Sequence, residues 1–156
     1  MLKQRTIAKE LSLKGIGLHT ANKVNITFKP AEVDQGINFI RTDLPDRPFV
    51  KASVEYVLSS SSSPRRTSIG RDNIEIQTIE HLMAALAGAE VDNINIELDN
   101  SEVPGLDGSS LNFSEIINKA GIREQEKERR YYAIKEPISV EEDGSTIVAL
   151  PASELK

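Results

Sequence analysis

The chain has 156 residues, 38% hydrophobic and 28% charged, enough for one ordinary domain with its own core and the start of another. It contains no cysteine, so disulfides and thiolate metal sites are excluded and any metal must be held by His, Asp or Glu. A formal charge of -5, no Trp and only 4% aromatic residues argue against a nucleic-acid binder, which carries a basic surplus and stacking rings.

The first 17 residues carry Lys3, Arg5, Lys9 and Glu10 and lack the apolar centre and small-residue cleavage site of a secretory signal, so a cytoplasmic protein is expected. No run approaches the ~20 apolar residues of a membrane-spanning helix, and no span is expected. Next comes Gly15-Ile16-Gly17-Leu18-His19-Thr20, where two glycines permit a bend or a close backbone approach. His19 there is either a turn residue bonded to backbone or a contact to a ligand beside a metal.

Period-two alternation predicts strands at Val24–Phe28, Ile74–Ile76 and Ile94–Leu98, each with one apolar and one polar face. Between the first two lies Ser59-Ser60-Ser61-Ser62-Ser63-Pro64-Arg65-Arg66, whose composition predicts a mobile surface loop. Arg65 and Arg66 serve either as part of that connector or as forks for a substrate phosphate. Helical spacing then appears twice, at Ile79, Leu82, Met83 and Leu86 and at Phe113, Ile116, Ile117 and Ala120. Gln77 or Thr78 suits the start of the first helix and Gly88 its end, while Asp107, Ser109 or Ser110 suits a cap for the second, with Gly121 after it. A sheet covered on one face by two helices, an α+β arrangement, is the simplest assembly of these pieces.

From Arg123 to Arg130 only Gln125 is uncharged and nothing apolar anchors the segment, so it reads as a linker or a solvated helix extension. Beyond it, Tyr131–Ile134, Ile138–Val140 and Thr146–Leu150 read as strands joined by turns, a meander unable to bury its own apolar face. The expected organisation is a first α+β domain over 1–122, a charged linker over 123–130, and the opening strands of an incomplete second domain over 131–156.

The chemistry-bearing residues are few. His19 and His81 are the only histidines, and His81 sits with Glu80 in the first turn of the first predicted helix. Successive helical residues lie about 100° apart, which puts Glu80 and His81 side by side away from the apolar stripe. A carboxylate beside a metal-bound water takes its proton while the metal stabilises the nucleophile and the oxyanion. The His-Glu-x-x-His pair of zinc peptidases is absent, since the position four after His81 is Ala85. One imidazole does not make a catalytic zinc site, which usually takes three protein ligands. By spacing alone, His81 also fits a capping or surface residue.

Six segments in this order and spacing resemble the UDP-3-O-acyl-N-acetylglucosamine deacetylase family. They are Lys3-Gln4-Arg5-Thr6, Gly15-Ile16-Gly17-Leu18-His19-Thr20, Arg41-Thr42-Asp43-Leu44, Thr78-Ile79-Glu80-His81-Leu82-Met83-Ala84-Ala85-Leu86, Asp92-Asn93-Ile94 and Glu102-Val103-Pro104-Gly105-Leu106-Asp107-Gly108-Ser109. The resemblance implies two similar α+β domains of the ribosomal protein S5 domain 2-like, βααβ type, with the active site between their helix layers. It implies Zn2+ as cofactor, His81 as a zinc ligand, Glu80 as general base, and Leu18 and His19 beside the acylated UDP-linked glucosamine substrate. The activity implied is the deacetylation of lipid A biosynthesis in Gram-negative bacteria.

In the family, the remaining zinc ligands, from a His-Lys-x-x-Asp motif, and a later His acting as general acid belong to the second domain and have no counterpart here. The chain is therefore expected to be catalytically incomplete, with the rest of the deacetylase, in some relatives fused to a dehydratase, as its partner. The alternative is a non-catalytic partner or regulatory domain that keeps the scaffold and whose unfinished strands pair with another chain.

Overall fold

The computed structural model describes residues 2–59 and 65–153. In chain order the strands are β1 (Lys3–Ile7), β2 (Leu11–Ile16), β3 (Lys23–Pro30), β4 (Ile37–Arg41), β5 (Phe49–Lys51), β6 (Ile69–Arg71), β7 (Ile74–Ile76), β8 (Ile94–Leu98), β9 (Ile122–Glu128), β10 (Ile138–Glu142) and β11 (Ser145–Ala149). Two helices, α1 (Glu80–Gly88) and α2 (Leu111–Ala120), and a short 3-10 turn at Val54–Tyr56 complete the described elements.

A five-stranded mixed sheet runs β2-β3-β8-β4-β5, antiparallel except where β4 lies parallel to β8. Period-two alternation is what gives it a core face. Phe28 pairs with Ile96, Ile96 with Phe39 and Phe39 with Val50, so one row of buried side chains crosses four strands. The helices cover this face. Leu82 and Leu86 of α1 and Phe113 and Ile117 of α2 join the same buried cluster, while the other sheet face carries polar pairs such as Ser12 with Thr27 and Asn38 with Asn95. The expected α+β layering is therefore observed, as are the three strands and both helices.

The charged segment does not behave as a linker or a helix extension. Residues 122–128 form β9, which pairs antiparallel with β1 from Ile7↔Ile122 to Lys3↔Glu128. A backbone ladder needs no apolar side chain, and polar side chains hold the middle and the Lys3–Glu128 end of this one. Asn93, buried beside it, donates from Nδ2 to Gln4 Oε1 at 2.8 Å and to Gln125 Oε1 at 2.7 Å. Arg129 grips Asp92 through Nε at 2.9 Å and Nη2 at 2.9 Å. Charge complementarity, with Arg5 on Glu90 and Lys127 on Asp34, stands where burial would otherwise act.

Farther on, Tyr131–Ile134 takes no regular structure, whereas β10 and β11 form a hairpin. Its two-residue turn is Asp143-Gly144, with φ of 49° and 74°, the left-handed pair that matches the twist of a tight hairpin. Ile138, Val140, Ile147 and Val148 are all exposed on it. Of the serine-rich run, residues 60–64 lie outside the described residues; Arg65 is exposed and Arg66 half-buried. No helix among the described residues is long and apolar enough to cross a membrane.

Candidate functional site

Helix α1 begins from an unusual backbone. Thr78 is 3% exposed and left-handed, with φ of 59°, a conformation that a β-branched residue seldom adopts. Ile79 then turns into the helix, and neither Gln77 nor Thr78 caps it with a side chain. The expected cap fails because the Thr78 hydroxyl is committed elsewhere, donating to Glu102 Oε1 at 2.8 Å. Thr67 holds the helix start instead. Its carbonyl accepts from Ile79 N at 3.2 Å, and its N–H donates to Glu80 Oε2 at 3.0 Å. At α2, Ser109 Oγ accepts from Leu111 N, while the Asp107 carboxylate accepts from Ser109 N and Ser109 Oγ.

Glu80 and His81 lie in the first turn of α1, both half-buried and so within reach of a ligand, while Leu82 behind them is fully buried and anchors the helix. One carboxylate oxygen of Glu80, Oε2, is fixed by the Thr67 N–H. The carboxylate also stands at the positive end of the helix dipole, where negative charge is favoured.

The other expected residues occupy the turn after β2. Leu18 is 65% exposed and His19 is exposed, while Gly17 between β2 and this turn is buried. Gly17 N–H donates to Asn22 O at 2.9 Å and its carbonyl accepts from Ala21 N at 3.1 Å, which closes the turn. Gly105 lies against Leu18, where an added Cβ would sit 3.1 Å from the Leu18 Cβ.

What joins the two groups is a carboxylate that motif reading passes over. Glu102 is 1% exposed and receives four donors. They are His19 N at 2.9 Å, Thr20 N at 2.8 Å, Thr20 Oγ1 at 2.7 Å and Thr78 Oγ1 at 2.8 Å. Burial acts to raise the Glu102 pKa, but the hydrogen bonds from Thr20, His19 and Thr78 outweigh it, and the carboxyl is held below its ordinary value. The structure thus brings the Leu18–His19 turn and the approach to Glu80–His81 to one buried charge. In the sequence Glu102 stands at the head of the family-like segment Glu102–Ser109 with no role attached, and the apolar and turn residues after it mean that a lone carboxylate must find partners if buried.

The donor set suits part of a metal site. His81 offers an accessible imidazole, the preferred neutral ligand of zinc, with a carboxylate beside it. Among the described residues no group of three or more His, Asp or Glu is placed to share an ion, so these residues fit one ligand position rather than a full set.

Comparison with known proteins bears on the chain as a whole. A family model described as UDP-3-O-acyl N-acetylglycosamine deacetylase matches residues 4–156. The UDP-3-O-acyl-N-acetylglucosamine deacetylase of Myxococcus xanthus is 43% identical over 149 residues, covering 96% of this chain and 46% of that protein. That of Chromohalobacter salexigens is 41% identical over 156 residues, 100% of this chain and 50% of that protein. The bifunctional enzyme LpxC/FabZ of Chlorobaculum tepidum is 44% identical over 153 residues, 97% of this chain and 32% of that protein. The chain therefore spans about half the length of the single-function relatives and a third of the bifunctional one. By a match over nearly its whole length, the chain belongs to the UDP-3-O-acyl-N-acetylglucosamine deacetylase family.

Proposed function

We propose that this chain forms part of a zinc-dependent amidohydrolase that removes the acetyl group from the glucosamine nitrogen of UDP-3-O-acyl-N-acetylglucosamine, a reaction of lipid A biosynthesis. The observation that carries the reading is the pair Glu80–His81, accessible in the first turn of α1, in a chain of this family. His81 would hold the zinc, the other ligands coming from outside the described residues. Zinc, when bound, supplies a polarised water and positive charge for the developing oxyanion. Glu80 accepts a proton at Oε1 from the water that attacks the acetyl carbonyl, while the Thr67 N–H keeps Oε2 and hence the carboxylate plane in place. Leu18 and His19 contact the substrate, with exposed Leu18 set against its acyl chain.

In this reading the sheet and helices are a first domain of the ribosomal protein S5 domain 2-like type, and residues 131–156 open a second, similar one. The exposed hairpin β10–β11 supports that division, since a two-stranded ribbon is marginal alone and gains stability when more strands or a helix cover it. The remainder of the deacetylase, or a partner that completes the sheet, provides that cover.

The test is substitution in the active enzyme. Glu80→Ala should abolish most deacetylation while zinc stays bound, and His81→Ala should lower the zinc content itself. Equal zinc by elemental analysis in His81→Ala and the unsubstituted enzyme would overturn the ligand assignment.

A further inference from the structure

We propose that Glu102 is a positioning residue for the deacetylase chemistry, fixing the substrate turn at Leu18–His19 against the helix start that carries Glu80 and His81. The inference rests on the functional reading above and concerns a residue that touches neither substrate nor metal. Its argument begins at one atom. Glu102 Oε1 accepts from His19 N on one side and from Thr78 Oγ1 on the other, so a single oxygen links the turn to the residue two before Glu80. The second oxygen binds only the turn, through Thr20 N, Thr20 Oγ1 and, at 3.3 Å, the His19 N–H that it shares with Oε1.

Three further features show that the arrangement is built around the charge. Thr78 keeps a left-handed backbone that its side chain disfavours, and such conformations persist where surrounding contacts over-determine them. Here those contacts are the Glu102 bond and a backbone bridge between Gln77 and Glu102, with Gln77 N donating to Ser101 O at 2.8 Å and Val103 N to Gln77 O at 3.1 Å. Gly17 leaves the space the carboxylate occupies, since a Cβ there would lie 2.3 Å from Glu102 Oε2. Among the described residues every donor to the carboxylate is neutral, two backbone N–H groups and two hydroxyls, so its hydrogen bonds set the geometry.

Two substitutions that exchange a hydroxyl for a methyl group separate the arms. In the active deacetylase containing this chain, Thr20→Val removes the hydroxyl's bond to Glu102, along with the one it accepts from Asn22 N within the turn, and should raise KM about tenfold with kcat near its original value, the size of one hydrogen bond to a charged group. Thr78→Val removes the bond on the helix side and should lower kcat about tenfold with KM little changed, and Thr78→Ser, which keeps the hydroxyl, should restore it. Zinc content should stay the same in all three. A purely structural carboxylate predicts a different pattern, a lower Tm in both Val variants with kcat and KM within about twofold of the original or moving together, and that pattern overturns the proposal.

A second readout needs no turnover. In this chain Thr78→Val should speed hydrogen exchange at the His19 amide, which shares Oε1 with Thr78, and unchanged exchange there overturns the linkage. An unsubstituted enzyme that fails to deacetylate would instead sink the functional reading, leaving the exchange result to decide the role of Glu102.

Discussion

Adding one methyl group at Gly17 should cost this chain more than most single-atom changes. The backbone there is not left-handed, so alanine meets no conformational barrier and the effect is purely steric. The new Cβ would lie 2.3 Å from Glu102 Oε2 and 2.5 Å from Thr20 Oγ1, roughly 1 Å inside ordinary contact. Neither neighbour is a loose end, because Glu102 is buried and tied by four donors and Thr20 Oγ1 is one of them. If the site holds, overpacking costs about 1–3 kcal/mol. If the carboxylate yields, it gives up at least one hydrogen bond worth about 1.5–3 kcal/mol. Both routes place Gly17→Ala near 2–3 kcal/mol of destabilisation, a fall in Tm of roughly 4–12 °C. Urea unfolding followed by far-ultraviolet circular dichroism measures it, the chain having no Trp for fluorescence. A loss below about 0.5 kcal/mol with an unchanged m-value would refute the rigid, multiply anchored carboxylate.

At Gly88 an added Cβ meets nothing within 4 Å and the residue is helical, so Gly88→Ala should stabilise the chain by about 0.5–1 kcal/mol in the same urea titration. Phe113→Ala removes a ring that is 1% exposed and shared between α2 and the sheet, and should cost about 3–5 kcal/mol, a value below 2 meaning the helix is not seated there. Asn93→Ala strips partners from Gln4, Gln125 and Gly36 together and should cost about 2–4 kcal/mol, with faster amide exchange along β9; exchange that stays slow would deny Asn93 its part in holding that strand. Because the folded-state pKa of Glu102 is lowered, its contribution is full above the ordinary carboxyl value, declines as pH falls below it, and is gone beneath the lowered folded value. Stability measured across that acid range should fall less steeply in Glu102→Gln, and identical acid limbs would contradict an ionised Glu102.

The elements visible in the amino-acid order are those whose side chains carry a period. Val24-Ile26-Phe28 and Ile94-Ile96-Leu98 face one core, and the stripes through Leu82, Leu86, Phe113 and Ile117 face the same core from above, so local pattern and burial agree. β9 defeated that logic because all its residues except half-buried Gln125 stay exposed and its pairing with β1 depends on backbone groups more than 100 residues away. Tyr131–Ile134 misled in the opposite sense, since aromatic and branched residues that favour strands find no partner strand there. At the candidate site, Glu80 and His81 were legible because adjacency in a helix is a local property. Glu102 was not, because its meaning lies in donors from residues 19, 20 and 78, which only the folded backbone assembles.

The union of β1 with β9 also orders events during synthesis. Lys3 pairs with Glu128, so β1 stays without its neighbour until some 125 further residues have been made. At about 5–20 residues per second that wait is on the order of 10 s, long against the microseconds in which α1 and α2 can form. β1 spends this interval as an open edge, and its charges at Lys3 and Arg5 are the kind that discourage stray strand pairing until the acidic partner strand arrives.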